Sequence, residues 1–96
     1  MYQVVKRDGT TVDFEISKIT GAMLKAFDAL EKNYHPSVIN LLALQVSADF
    51  EPKIKDGFIA VEDIQDSVEK VLSDAGYAEV AKAYILYRKQ REKVRN

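Results

Sequence analysis

Apolar residues recur along this chain with two different periods, and the changes of period divide it into elements. From Tyr2 to Ile16 the pattern is that of strands. Val4-Val5 and the alternating run Val12-Asp13-Phe14-Glu15-Ile16 flank Asp8-Gly9, a strong turn dipeptide, so a hairpin is predicted. With a two-residue loop Val5 pairs with Val12 and Lys6 with Thr11, which sends Lys6 and Arg7 to opposite faces. From Ser17, a good N-cap residue, the period becomes helical: Ile19, Ala22, Met23, Ala26, Phe27 and Leu30 recur at spacings of three and four. Pro36 suits the first turn of a second helix running to about Phe50, with Ile39, Leu42, Ala43, Val46 and Phe50 inward and Pro52 closing it. Lys55-Asp56-Gly57 reads as a turn before a short strand, Phe58-Ile59-Ala60, which can join the hairpin edge. A third helix rests on Val61, Ile64, Val68, Val71, Leu72 and Ala75, with Glu62 and Asp63 at its positive end and Gly76 as its stop. A fourth rests on Tyr77, Val80, Ala81, Tyr84 and Tyr87.

These elements add up to an α+β fold, in which a small antiparallel sheet (hairpin 1–16 plus short strand 57–60) caps a four-helix bundle (17–54 and 61–95) within a single domain, 1–96. Length agrees, because a 96-residue chain hides only roughly 60–70% of its unfolded surface and supports one core. A composition that is 47% hydrophobic and 30% charged is that of a globular protein. No apolar stretch approaches the ~20 residues of a membrane span, and Lys6, Arg7 and Asp8 stand where a signal peptide has its apolar segment, so a cytoplasmic location is expected. Zero cysteines leave stability to packing and caps and exclude thiol chemistry.

The glycines (Gly9, Gly21, Gly57, Gly76) are too scattered for a P-loop or a Rossmann turn. His35, the sole histidine, precedes Pro36 in a turn and reads as a plain loop residue, with no partner for a metal site or a triad. Glu62, Asp63, Asp66 and Glu69 read as a solvated helix face rather than as a catalytic pair. Formal net charge is -1, so no global field draws nucleic acid, but basic residues gather at Lys6-Arg7, at Lys18 and from Arg88 onward, so an anion site belongs where the two ends meet. The hairpin leads directly into the first helix and can bring Lys6, Arg7 and Lys18 to its N-terminus, where cations and free backbone N–H groups together suit phosphate. By composition alone Lys-Arg-Asp-Gly is more often only a charged turn.

A pattern goes beyond composition. Val5-Lys6-Arg7-Asp8-Gly9, then Phe14 and Lys18-Ile19, then Ile59-Ala60-Val61-Glu62-Asp63-Ile64-Gln65-Asp66-Ser67-Val68-Glu69, and finally Ala83-Tyr84-Ile85-Leu86-Tyr87-Arg88 together resemble the ATP-cone family over nearly the whole chain. The resemblance implies a small sheet over a helical bundle with nucleotide between them. It implies that Lys6, Arg7 and Lys18 bind phosphates, that Val5, Glu15, Val61 and Gln65 border base and sugar, and that Arg88 or Lys89 completes the phosphate cage. At the Val61 position some members carry polar side chains. Tyr77, Tyr84 and Tyr87 are read as bundle core rather than as an adenine stack.

The function so implied is allosteric. ATP or dATP, with Mg2+ carried on the nucleotide, controls the overall activity of a ribonucleotide reductase, and the domain is no enzyme by itself. Its partners are then the reductase's catalytic body and other cones in a homo-oligomer. The ending Tyr84-Ile85-Leu86-Tyr87-Arg88-Lys89-Gln90-Arg91 looks most like the anaerobic, glycyl-radical ribonucleoside-triphosphate reductases. Two alternatives stand beside this: the cone of a reductase-gene repressor, whose cysteine zinc ribbon would have to precede Tyr2, and a helical nucleic-acid or protein interaction module using the basic C-terminal end.

Overall fold

Hairpin, helices and third strand form in the expected order, and the differences lie in register and direction. The structure, a computed structural model, describes the backbone of residues 2–95 and the side chains of residues 2–90, so Arg91, Lys93 and Arg95 of the basic ending lie outside the described side chains. The order is β1 (Gln3–Val5), β2 (Thr11–Asp13), α1 (Ile16–Ala29), α2 (Pro36–Phe50), a 3-10 turn (Glu51–Lys53), β3 (Phe58–Ala60), α3 (Val61–Asp74) and α4 (Ala78–Arg95).

β1 and β2 are antiparallel, with Val4 opposite Val12 and Val5 opposite Thr11, one residue away from the expected register. The loop is the reason. Gly9 N–H donates to the Lys6 carbonyl at 2.9 Å and Lys6 N–H to the Thr10 carbonyl at 2.8 Å, so Arg7-Asp8-Gly9 forms a three-residue loop with Gly9 at φ 86. Asp8 Oδ1 reinforces it by accepting from Thr10 N–H at 3.0 Å and from the Thr10 hydroxyl at 2.6 Å.

β3 lies on the other side of β1, giving the order β2-β1-β3, and pairs with β1 in parallel, Val5 opposite Ala60. The sheet is therefore mixed, which corrects the antiparallel expectation. The chain returns from β2 through α1 and α2 before entering β3, the long crossover that a parallel neighbour requires.

A second correction concerns the start of α1. Glu15, in extended backbone at φ -132 and ψ 115, takes the N-cap position without a side-chain capping bond, and Ser17 falls inside the first turn. Conversely His35 is more than a loop residue: its Nδ1 accepts Ser37 N–H at 3.3 Å and caps α2. Pro36 then sits in the first turn, where its missing N–H costs nothing.

The inward residues expected on α2, namely Ile39, Leu42, Ala43, Val46 and Phe50, are all buried there. α1 packs on α2 and α4, and α3 on the same two, so the helices close a ring around Met23, Phe27, Phe50, Leu72 and Val80. Burial of a side chain the size of Phe27 or Phe50 contributes about 1.5–3 kcal/mol. Tyr2 stacks on Phe14 at 4.7 Å, and both rings meet Phe50 edge-on, which staples the hairpin to α2. Val4 and Ile59 join β1 and β3 to the same core. No helix among the described residues is long and apolar enough to cross a membrane.

One buried polar side chain ties α2 to α3. Ser67, 1% exposed, donates to Asp49 Oδ2 at 2.7 Å, and Lys70 Nζ reaches Oδ1 at 3.2 Å. The Ser67 bond first, helped by Lys70 and Lys53 and opposed by desolvation, holds the Asp49 carboxyl below its ordinary range. A depressed carboxylate stabilises the fold above the unfolded pKa of about 3.9, and that contribution is lost as pH falls through the lower folded value. Ser67→Ala is expected to cost about 1–2 kcal/mol at neutral pH, and the deficit against wild type should shrink below about pH 4 in urea melts across the acid range.

Candidate functional site

A cavity of about 790 Å³ opens between the hairpin and helices α1, α3 and α4. Its walls follow from local geometry. Val4 and Lys6, two apart on the β1 side of the hairpin, face the same way by strand alternation, and Arg7 at the start of the loop turns toward the same space. Helix α1 presents Lys18, Gly21, Ala22 and Lys25, spaced i, i+3, i+4 and i+7 and therefore on one face. α3 adds Val61 and Gln65, and α4 adds Tyr84, Tyr87 and Arg88.

Of the residues expected to meet nucleotide, Lys6, Arg7, Glu15, Lys18, Val61, Gln65 and Arg88 all line this cavity. Lys6 and Arg7 thus share a side instead of splitting to opposite faces, because Arg7 belongs to the loop and not to a strand pair. Val5 and Lys89 are not among the lining residues. Val5 follows Val4 on the other face of β1, and exposed Lys89 is turned about 100° around α4 from Arg88.

The two ends of the chain meet at one amide. Gln65 Oε1 accepts from Arg7 Nη2 at 3.1 Å and from Arg88 Nη1 at 3.0 Å. A carboxylate flanks it on each side: Glu62 lies 3.5 Å from Arg7 Nη1, and Glu69 lies 3.3 Å from Arg88 Nη1. The pairs differ in setting. Arg7 and Glu62 are 45% and 46% exposed, whereas Arg88 and Glu69 are 21% and 23% exposed. Glu69 Oε1 and Arg88 Nε are nevertheless buried without a hydrogen bond, so the inner pair meets by distance and charge but not by hydrogen-bond geometry.

Lys18 Nζ stands 3.9 Å from Glu15 Oε2, one turn back, while the Lys6 ammonium makes no ion pair with a described residue. Neither α1 nor α3 has a side-chain N-cap bond, although in the first turn of α1 the Lys18 N–H already donates to the Glu15 carbonyl at 3.1 Å.

The tyrosines divide. Tyr77 packs edge-on against Phe27 at 5.2 Å, as core. Tyr84 is 5% exposed, and burial, opposed by Arg88 and aided by Glu69, pushes its phenol up to about 12, so it stays neutral at any physiological pH. Tyr87 receives Lys25: Nζ is 3.3 Å from the hydroxyl and 5.3 Å from the ring centroid. Lys25 lines the cavity without having been expected there, although its spacing of seven from Lys18 carried the signal.

The sequence that builds this cavity is similar to that of known proteins. The family model described as the ATP cone domain matches residues 2–93. The ribonucleoside-diphosphate reductase alpha subunit of Chlamydia muridarum is 38% identical over 97% of this chain and 10% of its own length. The vitamin B12-dependent ribonucleoside-diphosphate reductase of Thermoplasma acidophilum is 43% identical over 97% and 12%. The anaerobic ribonucleoside-triphosphate reductase of Haemophilus influenzae is 34% identical over 98% and 13%. The chain therefore spans about a tenth of the curated relatives it matches.

Gly21 separates fold from site. It lies inside α1 with no positive φ, and a Cβ built there meets nothing within 4 Å. Gly21→Ala is expected to raise stability by about 0.5–1 kcal/mol in urea melts, because the backbone loses less freedom and the added methyl has room.

Proposed function

The chain belongs to the ATP-cone family, and on that premise we propose that it is an allosteric regulatory domain of a ribonucleotide reductase that binds ATP or dATP in the cavity between hairpin and helices. The observation that carries this reading is the convergence of Arg7 and Arg88 on Gln65 at a cavity that Lys6 and Lys18 also line. Cations of both chain ends then contact the triphosphate through charge-assisted hydrogen bonds, each worth about 1.5–3 kcal/mol. Glu15 and Val61 border base and sugar, with Val61 offering only apolar contact. Gln65, read as a sugar or base neighbour, also orients both guanidiniums.

A cavity of about 790 Å³ lies within the usual range for ligand sites, roughly 300–1,000 Å³. Mg2+ enters on the phosphate oxygens, the hard ligands it prefers. ATP and dATP differ by one hydroxyl, whose hydrogen bond is worth about 0.5–1.5 kcal/mol net. A switch on that scale needs a two-state element to amplify it, and we assign that role to packing of the domain against the catalytic body or another cone. The anaerobic, triphosphate-reducing class rests on the Tyr84–Arg91 ending; the relatives include three kinds of reductase and do not single it out.

Calorimetry with ATP, dATP, GTP and a short oligonucleotide tests the reading. Adenine-selective binding is expected, with Lys6→Ala and Lys18→Ala each weakening it about ten- to a hundredfold while melting curves without ligand stay near wild type. Gly21→Leu, which extends a side chain into the cavity, should abolish binding with the fold intact. Equal heats for ATP and the oligonucleotide, or unchanged affinity in both lysine variants, would overturn it.

A further inference from the structure

We infer that Glu62 is a built-in competitor of the nucleotide phosphates, one that sets the affinity of the site by occupying Arg7 when no ligand is present. The inference rests on the cavity being the nucleotide site. It starts from the ridge Glu62, Gln65 and Glu69 on α3, whose spacings of three and four put them along one face. Each arginine donates to the shared Gln65 amide and lies against one flanking carboxylate, 3.5 Å for Glu62 and 3.3 Å for Glu69.

The two carboxylates differ in what they can release. Glu69 and Arg88 are mostly buried, so parting them leaves two poorly solvated charges, and Glu69 is a positioning residue for Arg88. Glu62 and Arg7 are nearly half exposed, and a pair in that setting is weak and easily exchanged. A phosphate reaching Arg7 must displace Glu62 or share the guanidinium with it, and either course sets the carboxylate against the ligand's own charge. Gln65 keeps the guanidinium in place during the exchange, because its amide oxygen is neutral and does not repel the phosphate.

Removing the Glu62 charge should therefore tighten nucleotide binding, a direction that loss of a merely structural contact does not produce. Asp63 supplies the control: it is the next residue in the same first turn, and it makes no ion pair with a described residue. Calorimetric titration of wild type, Glu62→Gln and Asp63→Asn with MgATP separates competition from general charge. Glu62→Gln is expected to bind about three- to tenfold more tightly and Asp63→Asn less than about twofold more tightly. No binding by the wild type overturns the assignment of the site itself. Binding by the wild type with Glu62→Gln unchanged or weaker, or with Asp63→Asn tightened as much as Glu62→Gln, overturns the competitor role alone. Melting curves without nucleotide establish that both variants fold, and Glu62→Asp, which keeps the charge, should remain within about twofold of wild type.

Discussion

Everything at the cavity depends on β1 being the central strand. Its antiparallel partner β2 leads into α1, and its parallel partner β3 passes into α3 without an intervening loop, Ala60 being both the last strand residue and the N-cap. The register places Val5 beside Ala60, so the next residues of the two segments, Lys6-Arg7 and Val61-Glu62, leave the sheet as neighbours. Paired strands are about 4.8 Å apart, which brings an arginine within reach of the first turn of α3. The Arg7 contacts to Glu62 and Gln65 follow directly from that pairing.

Packing then supplies the other side. α4 lies against both α1 and α3, and Val80, Ala81 and Tyr84 bury one stripe of it in the common core. With that stripe seated, Arg88, one turn beyond Tyr84, meets the same Gln65 that Arg7 meets. The contact between the ends of the chain is thus polar in its final step but is positioned by apolar burial, and three buried side chains stabilise α4 in place more than one hydrogen bond can.

The electrostatic character of the cavity is one of balance. Arg7, Lys18 and Arg88 each stand near a carboxylate, and Lys25 near a phenol, so only part of the cationic charge is available without exchange. Under the proposed function moderate affinity is useful, since a site saturated at every concentration reports nothing. In the proposed competition the more exposed pair at Arg7 is the contact that exchanges and the less exposed pair at Arg88 the one that holds.

The amino-acid sequence by itself determined the elements and most of the core. Period and punctuation suffice for both, because side chains at i, i+3 and i+4 share a helix face whatever the helix packs against, and Pro36, Gly76 and Asp8-Gly9 act through local backbone restriction. Through the family pattern it also pointed to Lys6, Arg7, Glu15, Lys18, Val61, Gln65 and Arg88, which all line the cavity. What only the tertiary structure decided was every relation that local rules leave free. The hairpin register turned on whether Gly9 belonged to a two- or a three-residue loop. The direction of β3 turned on a crossover through two helices. The exclusion of Val5 and Lys89 and the entry of Lys25 turned on which face each element shows to its neighbours. The joint hold of Arg7 and Arg88 on Gln65 spans 58 and 23 residues of sequence, and no local periodicity reaches that far.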